Sequence, residues 1–196
     1  MNVFNNREKF AKEVQSKDAT YELVGSWRVD VGDQDQVVNI WRYQKGYRLA
    51  SETHKLIRSD SSLSSLANDQ TKLLRQRQNQ FMMAFSFWGH PVPAVRDSQY
   101  EMRSYILKPG TMIEWGNNWA RGINFRSNQV GGFFSQIGQL YMVHHIWHYQ
   151  DLQSRKDVRE DSWTKPGWDE IVAYTGQLRD SQLFFSVSFC EVTSSS

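Results

Sequence analysis

VGGFFSQIGQLYMVHHIWHY, residues 130–149, repeats VGSWRVDVGDQDQVVNIWRY, residues 24–43, at an offset of 106 residues. Val24/Val130, Gly25/Gly131, Gly32/Gly138, Val37/Val143, Ile40/Ile146, Trp41/Trp147 and Tyr43/Tyr149 coincide, seven identities in twenty positions. A match of that density, with a tryptophan and two glycines in it, marks a duplicated unit. Further along, NQFMMAFSF (79–87) matches SQLFFSVSF (181–189) after a four-residue change of offset. The chain therefore reads as two copies, a first at 1–90 and a second at 99–196. The boundary falls in GHPVPAVRDS (Gly89 to Ser98), where two of the four prolines interrupt the apolar pattern.

The second copy can be followed element by element. Tyr100 to Leu107 is a short extended run, ended by Lys108-Pro109-Gly110 because proline cannot continue a ladder. Thr111 and Glu114 have capping-box spacing, and Met112, Trp115, Trp119 and Ile123 follow at helical spacing. Gly131 to Ile137 and Tyr141 to Tyr149 read as two strands joined around Gly138. Asp151 to Trp163 reads as a charged helix with Asp151, Arg155 and Arg159 four apart. Pro166-Gly167 breaks it before a further helical run, Trp168 to Tyr174, and Ser181 to Val192 alternates as a closing strand. The order βαββαβ is the ferredoxin-like split unit.

One such unit leaves a sheet face bare, and two can bury those faces together. The expected class is α+β, with tandem ferredoxin-like units forming a pseudo-twofold, dimeric α/β-barrel-like pair. Subtracting the offset from Tyr100 to Leu107 places the first strand of copy one before Met1. The reading expects that strand, and any targeting segment, to lie upstream, and the unpaired sheet position makes homo-oligomerisation an open option.

Composition narrows the functional classes. The 196 residues are 39% hydrophobic, 22% charged and 14% aromatic, which describes a globular chain. Mean hydropathy is −0.64, and the longest apolar run, Phe81 to Phe85, is far short of the roughly 20 residues that cross a bilayer. The net charge of +2 is spread over both signs, so nucleic acid is not an expected partner. A single cysteine, Cys190, makes no internal disulfide and suits a reducing compartment. The opening MNVFNNREKF has neither the apolar core of a secretory signal nor, with Glu8, the acid-free pattern of a transit peptide. A cytoplasmic location is the fallback.

LKPGTMIEWGNNWARGINFR (107–126), VGGFFSQIGQLYMVHHIWHYQDLQSR (130–155) and KPGWDEI (165–171) resemble the NIPSNAP family, in its branch with two tandem domains. LVGSWRVDVGDQDQVVNIWRY (23–43) and RQNQFMMAFSFW (77–88) extend the resemblance over nearly the whole chain. It implies mitochondrial association and a non-enzymatic, protein-binding role in vesicle transport and the selective removal of damaged mitochondria. The missing first strand and presequence depart from that pattern.

Catalytic frames are absent: there is no GxSxG elbow, HExxH, phosphate-binding loop or GxGxxG. No cofactor or metal is therefore expected. On a strand, His144 and His148 share one face and His145 and Trp147 the other, and two histidines about 13 Å apart cannot chelate one metal alone. The repeat maps His145 onto Asn39 and Trp147 onto Trp41. If that face lines the barrel, Asn39, Trp41, His145 and Trp147 make a candidate small-ligand pocket, as in an oxidative enzyme; otherwise they are packed core. Trp115 and Trp119, with Arg121 and Arg126, read as a helix docked on the sheet rather than a nucleic-acid platform. The mixed charges from Arg155 to Asp161 read as solvated surface. Gly131-Gly132 reads as close packing. Trp168-Asp169-Glu170-Ile171 has the aromatic-x-x-aliphatic form of peptides that add a strand to ubiquitin-like autophagy modifiers, so Trp168 and Ile171 are candidate partner-binding residues. The competing reading has Trp168 anchoring the helix.

Overall fold

The computed structural model describes residues 3–91 and 98–192, except the side chains of Phe4 and of 181–192. The first copy runs α1 (Val3–Lys17), β1 (Tyr21–Val31), β2 (Val37–Tyr43), α2 (Gly46–Ser59), α3 (Ser61–Lys72) and β3 (Phe81–Ala84). The second runs β4 (Gln99–Leu107), α4 (Met112–Gly122), β5 (Gln129–Ile137), β6 (Met142–Tyr149), α5 (Leu152–Trp163), α6 (Trp168–Gln177) and β7 (Arg179–Val192). At the repeat offset each element of the first copy corresponds in sequence to one of the second.

The second copy has the ferredoxin-like sheet. Its strands lie in the order β7-β4-β6-β5, so the first strand, β4, is flanked by the last and the third. All of these pairs are antiparallel. Gly138, at φ +105°, supplies the left-handed turn of the β5–β6 hairpin.

Two compact units emerge, and their limits differ from those of the sequence repeat. Unit 2 comprises Arg28–Gln36 and Asn79–Glu191; unit 1 holds α1, β2, α2, α3 and most of β1. The reason is β3. This last strand of the first copy pairs antiparallel with β5, Met83 opposite Phe134 and Ala84 opposite Phe133, and so extends the sheet of unit 2. The expected boundary, Gly89 to Ser98, lies partly outside the described residues.

Unit 2 is held by an aromatic core. Phe85, Trp88, Tyr105, Trp115, Trp119, Val143, Trp147 and Trp168 are buried together on the sheet face that α4 covers. The helical spacing of Trp115, Trp119 and Ile123 explains the docking, since all three are buried. Gly132 lets the layers meet: a Cβ there would stand 2.4 Å from the Trp88 indole. In unit 1, Phe10, Val14, Tyr21 and Leu63 form the core, with Trp41 and Tyr43 packed against it. Asp60 caps α3, accepting the Leu63 amide at 3.0 Å, and takes an ion pair from Lys17 at 2.5 Å.

Candidate functional site

The face expected to line a cavity is instead the face that the helices cover. His145 and Trp147 are fully buried beneath α4, with Trp88, Trp115, Trp119 and Tyr105 around the imidazole at centroid distances of 5.0–6.1 Å. Asn39 and Trp41 are half-buried in unit 1, where Trp41 packs against the core. Trp41 stacks on Tyr21 at 4.7 Å and meets Phe10 of α1 edge-on, while Asn39 Oδ1 accepts bonds from Arg7 and from Ser26 Oγ. Within its own unit, each pair is packed against neighbouring side chains. Strand alternation separates two faces, but it does not say which of them a helix will cover.

The chemistry of His145 follows from that enclosure. Nδ1 accepts the Trp147 indole N–H at 2.5 Å, so Nε2 carries the ring proton. Burial, helped by the positive charges of Arg103, Arg126 and Arg179, holds its pKa well below the ordinary value. The ring is therefore neutral. Nε2 and the indole N–H groups of Trp88, Trp115 and Trp119 are buried with no acceptor among the described residues.

The opposite face carries a hydrogen-bond chain that the sequence reading missed. Ser104 Oγ lies 2.7 Å from His144 Nδ1, and His144 Nε2 lies 2.9 Å from Gln80 Oε1. Gln80 Oε1 can only accept, so Nε2 donates to it and Ser104 donates to Nδ1. Cross-strand register brings Ser104 and His144 together, and nothing in the local sequence of either strand announces it.

Trp168 and Ile171 require a correction. They begin α6, where Trp168 is 1% and Ile171 7% exposed. A peptide that adds a strand must be extended and must offer both side chains. Trp168 instead meets Trp119, Phe125 and Trp163 edge-on, as the competing reading expects of a helix anchor. Ile171 does reach one open feature, a groove of about 610 Å³ between α4 and α6. Its walls include Ile113, Glu114, Arg121, Glu170 and Tyr174, and Ile113 is 70% exposed. The expected capping box at Thr111 does not form. The Thr111 hydroxyl donates to the Lys108 carbonyl, and Glu114 accepts the Tyr174 hydroxyl across the groove.

A second missed cluster surrounds Glu101, which is 1% exposed and ion-paired to Arg103 at 2.9 Å and Arg155 at 2.7 Å. Burial works to raise this carboxyl, but the two guanidinium groups outweigh it and hold its pKa below the ordinary value. Helical spacing puts Arg155 and Arg159 on one side of α5, a signal hidden by the mixed charges around them. Among the described residues, no group of three or more His, Cys, Asp or Glu converges to hold a metal ion.

Comparison with known proteins places these features. The NIPSNAP family model matches residues 100–191. The chain is 48% identical over 175 residues to Protein NipSnap homolog 2 of Homo sapiens, covering 88% of this chain and 61% of that protein. It is 51% identical over 160 residues to Protein NipSnap of Drosophila melanogaster, covering 80% and 59%. The chain spans about three fifths of the length of the curated relatives it matches. A solved candidate monooxygenase of Lactobacillus acidophilus aligns over 98% of this chain and 91% of its own, with a TM-score of 0.61 at 9% identity. That likeness is one of fold, the ferredoxin-like α+β class of the dimeric α/β-barrel proteins.

Proposed function

Because the chain belongs to the NIPSNAP family, we propose that it acts as a non-enzymatic adaptor that binds trafficking and autophagy factors at mitochondria. The observation that carries this reading is the α4–α6 groove. It offers a mostly exposed isoleucine beside Tyr174 and a Glu–Tyr contact, on a helix pair anchored from beneath by Trp115, Trp119 and Trp168. An apolar side chain left in water on a well-anchored surface is what a partner protein can bury. The histidine that could have served chemistry is neutral and enclosed, which favours a surface role over a catalytic one.

Proximity labelling in cells tests the proposal, comparing the wild-type chain with Ile113→Asp. The side chain is exposed, so the variant keeps the fold. Loss of an apolar contact worth ~1.4 kcal/mol weakens binding about tenfold, so labelling of trafficking and autophagy proteins should fall sharply. An identical labelling pattern for the two chains would remove the groove from the account.

A second reading, a small-ligand-binding or oxidative enzyme, is favoured by the unpaired N–H groups of His145, Trp88, Trp115 and Trp119. Those donors suit an acceptor-rich ligand lying between the sheet and α4. It requires α4 to lift, because His145 and Trp147 have no exposed surface.

A further inference from the structure

Glu101 sits among more arginines than it can neutralise. Its Oε1 accepts from both Arg103 and Arg155, and the Tyr149 hydroxyl donates to Oε2 at 3.4 Å. Trp147 is the cross-strand neighbour of Glu101, and the Arg126 guanidinium lies over that indole at 5.2 Å and over Trp168 at 4.6 Å. Arg126 Nε donates to Ser162 Oγ of α5 at 3.1 Å. Arg159, on the same helix, lies one turn beyond Arg155 and three residues before Ser162. Four guanidinium groups thus gather where α5 meets β4 and β6, with the carboxylate of Glu101 paired to two of them.

The cluster is also short of acceptors. Arg126 is 5% exposed, and its Nη1 has no partner among the described residues; Arg159 Nη1 is a buried N–H in the same condition. Aromatic faces and one hydroxyl leave buried cationic N–H groups without the acceptor oxygens they need. Arg103 and Arg155 keep 18% and 27% of their side-chain surface exposed, so the cluster opens to solvent at their end.

We propose that Arg103, Arg126, Arg155 and Arg159 form a binding site for a phosphate group. A phosphate dianion presents several acceptor oxygens to planar guanidinium forks and offsets the charge that Glu101 leaves. A carboxylate would supply a single charge and fewer acceptor sites. By helical spacing Arg155 and Arg159 share one face of α5 with Ser162, the residue that accepts from Arg126 Nε.

The test uses the full chain with inorganic phosphate and pyrophosphate as probes, against sodium chloride at equal ionic strength. Thermal unfolding and calorimetric titration should give a saturable rise in Tm and a measurable Kd, with pyrophosphate the stronger probe. Arg159→Gln, at a half-buried position that tolerates change, should raise Kd about tenfold or more. Arg126→Gln should abolish binding; if it fails to fold, Arg159→Gln decides alone. Phosphate that acts no differently from chloride, or an unchanged Kd in Arg159→Gln, would overturn the site. Vesicles carrying phosphatidic acid identify the source of the group. Vesicle binding displaced by pyrophosphate assigns a lipid headgroup to this site; vesicle binding without competition, and without a pyrophosphate Kd, places the phosphate contact elsewhere and overturns it.

Discussion

His144 couples the interior of unit 2 to pH. Both ring nitrogens are engaged, by Ser104 and Gln80, and burial pushes its pKa down to about 4 from the ordinary 6.5. Between those values the unfolded chain takes up a proton that the folded chain refuses. Stability from this group is therefore complete above pH 6.5 and declines as pH falls toward 4. His145 adds in the same direction, and Glu101, held below its ordinary value by its arginines, adds a further loss as pH falls through the carboxylate range. Urea denaturation should show a loss of about 2 kcal/mol between pH 7 and pH 5 from His144 alone. His144→Gln should make that slope shallower; an unaltered slope would mean that His144 is protonated in the folded chain. The opposite orientations of His144 and His145 were legible from strand alternation. Their partners were not, because Ser104 and Gln80 lie 40 and 64 residues away in sequence and reach His144 through the fold.

At the scale of the element, α6 separates a structural tryptophan from a docking one. Gly167, at φ +85°, follows Pro166 and turns the chain so that Trp168 enters the core at the first helical position. Trp168→Ala removes contacts with Trp119, Phe125 and Trp163 and a ring lying under Arg126, so it should cost about 3–5 kcal/mol in chemical denaturation. A loss of about 0.5 kcal/mol or less, as for exposed positions, would restore Trp168 as an available docking residue. Helix positions were readable because tryptophans at helical spacing leave few other arrangements. Caps were less so: Asp151 accepts the Ser154 amide at 2.7 Å in a reciprocal capping box, whereas Thr111 turns its hydroxyl to Lys108. Both sites offer a hydroxyl or carboxylate at the right place, and the nearby Lys108 carbonyl decides for Thr111.

The whole molecule keeps the duplication that its sequence declares, yet the two repeats do not fold as separate blocks. β3 leaves its own copy and completes the sheet of unit 2 through β5, a pairing that self-comparison of the sequence cannot reveal. The same limit hid the fate of the candidate pocket. Identity between Trp41 and Trp147 was visible, but whether that face met a helix or a cavity depended on packing. The account's central claim is that unit 2 is closed beneath α4 and acts through its surface. Native-state hydrogen exchange of the full chain tests this most directly, because a closed core opens only with the unit while a ligand-admitting helix opens by itself. The account predicts that the α4 amides from Trp115 to Gly122 exchange with the same opening free energy as those of β6. Exchange of α4 through a separate opening at several kcal/mol less, with β6 still protected, would contradict it and return His145 and its tryptophans to the list of ligand-binding groups.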